Sequence, residues 1–301
     1  PLHDPQHTLV AGDGMQDLWC KNPAGGFSGA RSTAIGTLTN MGTAVTGCTQ
    51  IGMVDFNGDG RGDAVCYSLQ QYTGSCLIFS PPQFCISNRP QNPRVWIATT
   101  DQNGGFGNET TWLTWDSCYM PNPGGSGGFI IGTMDFDGDG LADMFCATTY
   151  QLASKALSFA RSNGNGSLNP VGSISNFCNG SSSYGVGGSD FNGDGKSDIW
   201  CLDSSTGNFS VYYSTSTSSS ASFTSPLSIN GFCQTPISYT GSVLPLGTPS
   251  KLYLSDFNGD GLQDIWCYRS GGDVKVALST GTAFTTPTIW KSAWCGTGTV
   301  G

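Results

Sequence analysis

Apolar and polar side chains alternate along most of this chain in short runs, and the period is two. "VKVALSTG" (274–281), "FSVYYSTS" (209–216), "RVWIATT" (94–100) and "ALSFARS" (156–162) all follow it, and Gly, Ser and Asn punctuate the intervals. A period of two sends successive side chains to opposite faces, so these runs predict half-buried strands. Helix formers are scarce, and Glu occurs once, at Glu109. The pattern predicts an all-β chain.

The strands belong to a repeat. "DFNGDGRGD" (55–63) recurs as "DFDGDGLAD" (135–143), "DFNGDGKSD" (190–198) and "DFNGDGLQD" (256–264), with a degenerate copy, "LVAGDGMQD", at 9–17. Each copy runs into an apolar strand ending in Cys, as in "DIWC". An alternating strand comes next, then a third approaching another Cys, as in "TIWKSAWC" (288–295). A fourth, such as "KLYLSD", enters the following loop. One long interval contains an insertion, 72–93, with its own Cys76 and Cys85. Four strands per repeat of this length predict a five-bladed β-propeller of four-stranded blades, a single domain over 1–301. The N- and C-terminal ends would meet to close it.

Charge and cysteine sharpen that picture. The net charge is -9, and 13 of the 21 acidic residues lie in the four intact windows. Scattered Lys and Arg form no basic stripe, which argues against nucleic acid. No apolar run approaches the ~20 residues of a membrane span. Twelve cysteines without a CxxC pair predict six disulfides and an oxidising compartment. A start at Pro1, without Met or signal peptide, fits a processed secreted protein. With Cys76–Cys85 assigned to the insertion, each strand Cys pairs either with the next Cys downstream (20–48, 66–118, 146–178, 201–233, 267–295) or with the one upstream (48–66, 118–146, 178–201, 233–267, and Cys295–Cys20). The upstream scheme is preferred because it closes the ring covalently. Sequons stand at Asn108, Asn165, Asn179 and Asn208.

The acid windows need a cation. Two carboxylates ~4 Å apart repel by about 4 kcal/mol at an effective dielectric of ~20. Side-chain oxygens at positions 1, 3, 5 and 9, with Gly at 4 and 6 for a sharp turn, suit Ca²⁺. The absence of Cys or His donors argues against zinc or copper. The ligands predicted are Asp55, Asn57, Asp59 and Asp63; Asp135, Asp137, Asp139 and Asp143; Asp190, Asn192, Asp194 and Asp198; and Asp256, Asn258, Asp260 and Asp264. Backbone carbonyls of Arg61, Leu141, Lys196 and Leu262 would complete four sites. The 9–17 copy keeps only Asp13 and Asp17 and is expected to be empty. An EF-hand is excluded, because its twelfth position is a Glu on a helix and here it is Cys66, Cys146, Cys201 or Cys267.

"DFNGDGxxD" followed by an apolar strand resembles the FG-GAP or VCBS repeats of calcium-binding β-propellers. That family includes the integrin α-subunit head, a propeller-type mushroom lectin, and repeat domains of secreted bacterial toxins and enzymes. The resemblance covers all five repeats and implies a calcium-stapled propeller whose loops join the inner two strands of each blade. Five blades rather than the common seven, and the regular Cys pairs, depart from the family.

Three functions are open to such a scaffold. A lectin-like reading expects glycan or polysaccharide partners, including cell-surface glycoprotein, with Tyr67, Trp112, Trp115, Tyr268 and Trp290 as stacking residues; Trp19, Trp200 and Trp266 are expected to pack between blades. A polysaccharide hydrolase or lyase would draw on Asp101, Glu109 and Asp116 in the second repeat. An adhesion or toxin-associated module is the third, but in Arg61-Gly62-Asp63 the acid is already assigned to the metal. His3, Asp4 and His7 lie at the N-terminus, where fraying is the ordinary outcome. The preferred expectation is the secreted, multivalent, calcium-stabilised lectin.

Overall fold

The computed structural model of the chain describes residues 18–21, 27–32, 38–44, 50–69, 93–101, 106–108, 110–114, 129–148, 157–180, 184–203, 206–233, 252–268 and 273–292. They form nineteen strands in five sheets, with a 3₁₀ turn at Phe177–Gly180. Sheet one holds β1 (Leu18–Lys21), β2 (Phe27–Ser32) and β3 (Leu38–Ala44). Sheet two holds β4 (Gln50–Val54), β5 (Asp63–Leu69), β6 (Pro93–Ala98) and β7 (Thr110–Thr114). Sheet three holds β8 (Phe129–Met134), β9 (Asp143–Thr148), β10 (Leu157–Ser162) and β11 (Leu168–Ile174). Sheet four holds β12 (Tyr184–Ser189), β13 (Asp198–Asp203), β14 (Phe209–Tyr212) and β15 (Leu227–Ile229). Sheet five holds β16 (Leu252–Ser255), β17 (Asp264–Tyr268), β18 (Val274–Ala277) and β19 (Thr288–Lys291). Within each sheet the strands are neighbours in chain order. The all-β class and the repeating four-strand unit match the sequence pattern. Among the described residues no helix is long and apolar enough to cross a membrane.

The chain divides into two compact units. One comprises Pro1–Phe129, Gly140–Met144 and Ala160–Pro170; the other Ile130–Asp139, Phe145–Phe159 and Val171–Gly301. In the second unit, one core gathers Phe136, Phe145, Phe159, Phe177, Ile199 and Tyr212. Another gathers Phe191, Trp200, Phe209, Phe232, Leu252 and Ile265. Glycines make room for the largest rings. A Cβ on Gly132 would meet the Phe145 ring at 2.3 Å, and one on Gly187 the Trp200 indole at 2.7 Å.

The acid windows are the connections between the first two strands of sheets two to five. The residue before the window pairs with its last Asp: Val54 with Asp63, Ser189 with Asp198, Ser255 with Asp264. Two bridges follow the upstream disulfide scheme: Cys178–Cys201, with Cα atoms 5.7 Å apart, and Cys233–Cys267, at 5.8 Å. They exclude the downstream pairs 146–178, 201–233 and 267–295. Cys66 and Cys146 are also disulfide-bonded. The 9–17 window, Cys20's proposed partner Cys295 and most of the 72–93 insertion lie outside the described residues.

Candidate metal centre

Each window begins with an Asp whose carboxylate folds back on its own loop. Asp55 accepts from the amides of Gly58 (2.7 Å, Oδ1) and Gly60 (2.8 Å, Oδ2). Asp190 and Asp256 repeat this with Gly193 and Gly195, and with Gly259 and Gly261. Asp135 receives Gly138 at 2.8 Å. The glycines at positions 4 and 6 all take φ between 75° and 87°, which an L side chain resists. The third side chain then caps the fifth residue's amide, as Asn57 Oδ1 does for Asp59 at 3.0 Å, and the fifth caps the seventh. The side chains at positions 1, 3 and 5 are thus tied down by amides of their own loop.

The ninth Asp has a second duty. Asp63, Asp143, Asp198 and Asp264 are fully buried. Asp198 accepts from Phe191 N at 2.9 Å and from Ser214 N at 2.8 Å. Asp63 does so from Phe56 and Thr100, and Asp264 from Phe257 and Ser279. Asp143 accepts from Ser162 N at 2.8 Å. The sequence assigned this acid to metal alone; the structure shows that it also buckles the loop onto residues at or just past the end of the third strand of its sheet. A carboxylate has about four lone-pair sites, so two amides leave capacity for a cation.

Burial pushes the Asp63 and Asp198 carboxyls up to about 7, the loop's other acids adding to it while the two amides oppose it. Burial raises Asp264 as well. Asp256 is lowered, chiefly by the Gly261 amide.

The third loop brings three acids together. Asp135, Asp137 and Asp143 each present an oxygen within 4.8 Å of the others. Two oxygens on one Ca²⁺ at ~2.3–2.6 Å lie at most about 5 Å apart, so the trio is compatible with a single ion. In the other three loops Asn57, Asn192 and Asn258 offer an amide oxygen at the third position. The donor set is all oxygen, which fits a hard cation.

The same hydroxyl residues that buckle the loops also fasten neighbouring sheets. Ser162 donates its Oγ to the Phe56 carbonyl at 2.8 Å, Ser214 to Phe136 at 2.6 Å, and Ser279 to Phe191 at 2.7 Å. The sequence reading missed this clasp, although a Ser ends "ARS", "YYS" and "ALS" at or just past the third strand of its sheet; in "ATT" the Thr100 hydroxyl donates to the Gly62 carbonyl of its own sheet's loop instead. Phe56, Phe136 and Phe191 are fully buried, whereas Phe257 is 39% exposed.

The other sequence candidates scatter. Trp112 is buried at 6% exposure, edge-on to Phe56, with its indole N–H on Thr110 Oγ1 at 2.9 Å. It offers no stacking face, because the chain packs it as core. Trp290 is 49% exposed and edge-on to Phe257 at 5.3 Å. Tyr268 is half-buried at the end of β17. Tyr67 lies in β5, its side chain outside the description, and Trp115, Glu109 and Asp116 lie outside the described residues. Asp101 is exposed. Of the inter-blade tryptophans, Trp200 is buried and Trp266 is half-buried, stacked on Tyr253 at 4.1 Å. The Arg61-Gly62-Asp63 tripeptide is folded inward: Arg61 pairs with Asp59 and donates to the Thr100 carbonyl, and Gly62 and Asp63 are buried.

The loop chemistry and the strand that follows it agree with a known repeat. Residues 135–201 match the FG-GAP-like repeat family. The FG-GAP-like stretch runs from the third acid loop through the fourth and ends at Cys201 in β13. Among solved structures, the exotype rhamnogalacturonan lyase YesX is similar over 96% of this chain and 48% of its own, at 14% identity and a TM-score of 0.46. A Bacillus licheniformis rhamnogalacturonan lyase, PL11, is similar over 93% and 49%, at 14% identity and 0.48. This chain thus spans about half the length of either. No curated protein matches it.

Proposed function

We propose that the chain is a secreted, calcium-stapled five-bladed β-propeller that binds neutral glycans. The four intact loops would each hold one Ca²⁺ through the acids and amides at positions 1, 3, 5 and 9 and the carbonyl of Arg61, Leu141, Lys196 or Leu262. Bound calcium supplies the charge that lets the buried ninth Asp ionise. The disulfides fit an oxidising, extracellular setting.

Repeat equivalence is what supports the ring in this reading. Phe56, Phe136 and Phe191 are each covered within their own unit, and each carbonyl receives a Ser hydroxyl. Phe257 is the fourth member, and with Trp290 it remains exposed.

The glycan reading is carried by one observation: residues 204–250 contain no charged residue, and the described part of that run exposes Thr215, Thr217, Ser219, Ser222, Ser225 and Ser228. A hydroxyl-rich surface interleaved with aromatic rings and lacking ionic groups is suited to uncharged, hydroxylated ligands. A glycan array read with calcium and with EGTA tests this, beside a polysaccharide depolymerisation assay. Calcium-dependent binding without depolymerisation is the expected result. A silent array with depolymerisation would give the function to an enzyme instead.

A further inference from the structure

A cavity of about 330 Å³ lies between the end of β11 and the turn joining β14 to β15. Ser175, Asn176, Tyr212, Phe223, Thr224 and Ser225 are in its lining. We propose that this cavity is a subsite for one neutral sugar unit. The inference rests on the glycan reading above and gives it a location.

Size and chemistry set the ligand class. The volume is at the small end of the roughly 300–1,000 Å³ range of ligand pockets, which suits one ring rather than a chain. The lining has no carboxylate, ammonium or guanidinium, so nothing in it recognises a uronate or a phosphate by charge. Phe223, half-buried, supplies an aromatic surface that is itself supported by Phe159 at 4.7 Å. The side chains of Ser175, Asn176 and Ser225 make no hydrogen bond among the described residues and are exposed. The Tyr212 hydroxyl accepts from Cys178 N at 3.1 Å and keeps its own proton to donate. Hydroxyl and amide groups beside an aromatic ring complement the polar edge and apolar face of a pyranose.

The rim is fixed in advance. Asn176 and Cys178 hold φ of 54° and 57°, a left-handed conformation uncommon for residues other than Gly. Such strain persists where the surroundings over-determine it. Here Phe177 between them is fully buried, Cys178 is bridged to Cys201, and its amide is held by Tyr212. The opposite wall is clamped by Thr224 N to the Tyr213 carbonyl and Tyr213 N to Thr224 Oγ1. Leu278 and Thr285 repeat that clamp in "FTTP" (284–287), as does "FTSP" at 223–226. The turn is therefore a feature of the scaffold, and Tyr212 is the particular one: its register position in sheet five is Ala277. A preformed site loses less entropy on binding than one that must order itself.

The test uses the calcium-loaded full chain with methyl glycosides of glucose, galactose, mannose, N-acetylglucosamine, fucose and rhamnose. Glucuronate and inorganic phosphate are the charged controls. Saturation-transfer NMR and calorimetry are read on the wild type, Asn176→Gly and Ser225→Trp, with thermal melts verifying the fold. Asn176→Gly keeps the left-handed backbone and deletes only the amide; Ser225→Trp fills the cavity from its exposed rim. At least one neutral glycoside binds the wild type, Asn176→Gly weakens it about tenfold, and Ser225→Trp abolishes it. Sugar binding unchanged in both variants would overturn the pocket and leave the glycan reading standing. Binding of the charged controls alone, or of none of the panel, would overturn the neutral-sugar subsite, and the array result then decides the broader reading separately. Should Ser225→Trp fail to fold, Asn176→Gly decides.

Discussion

Asp198 shows how one side chain carries both fold and chemistry. Its two oxygens receive the amides of Phe191 and Ser214, and burial holds its carboxyl near 7. Asp198→Asn keeps the shape but turns one acceptor into a donor facing an N–H. The expected loss is about 1–3 kcal/mol in urea unfolding, together with calcium at the fourth loop. The pH dependence has a definite sign. A carboxyl raised from its unfolded value of 3.8 to about 7 is better tolerated protonated. Ion-free stability from Asp63 and Asp198 is therefore fully present below about pH 4 and is lost as pH rises to about 7. Calcium requires the ionised form, so its apparent affinity falls as pH drops below about 7. Scanning calorimetry should show the melting temperature in EGTA falling from pH 5 to pH 8, and the gain from added calcium growing over that interval. A calcium gain as large at pH 5 as at pH 8 would contradict this.

At the scale of the element, the loop and the clasp are separable. Ser214→Ala removes the hydroxyl from the Phe136 carbonyl but leaves the Ser214 amide on Asp198. It should cost about 1–2 kcal/mol with calcium at the fourth loop retained, as measured by denaturation and calorimetric titration side by side. Phe191→Ala empties a fully buried site between β14 and the Phe284 turn and should cost about 3–5 kcal/mol. Strands and loops were legible because the period of two and the Asp-Gly spacing are local properties. The clasp was not, although its Ser was in plain view, because a hydroxyl's partner 78 or more residues away leaves no local trace. Trp112 misled for the same reason. An aromatic in an alternating strand faces core or solvent according to what the neighbouring sheet supplies, and here Phe56 takes it.

For the whole molecule, the proposed ring is tested through its disulfides. Two bridges already follow the upstream scheme. The same scheme pairs Cys20 with Cys295, and non-reducing peptide mapping should recover that peptide; finding 20 joined to 48 would reject closure. The five repeats were readable from spacing and appear as five sheets; the expected meeting of the chain ends is what the peptide map tests. The unifying idea is that cations make buried and clustered acids compatible with a packed β scaffold. Its most direct test is calcium titration of chelator-stripped protein by calorimetry and native mass spectrometry, with the melting temperature followed in parallel. Four ions per chain and a steep rise in melting temperature are predicted. A chain that takes up no calcium, or that melts at the same temperature with and without it, would contradict the account.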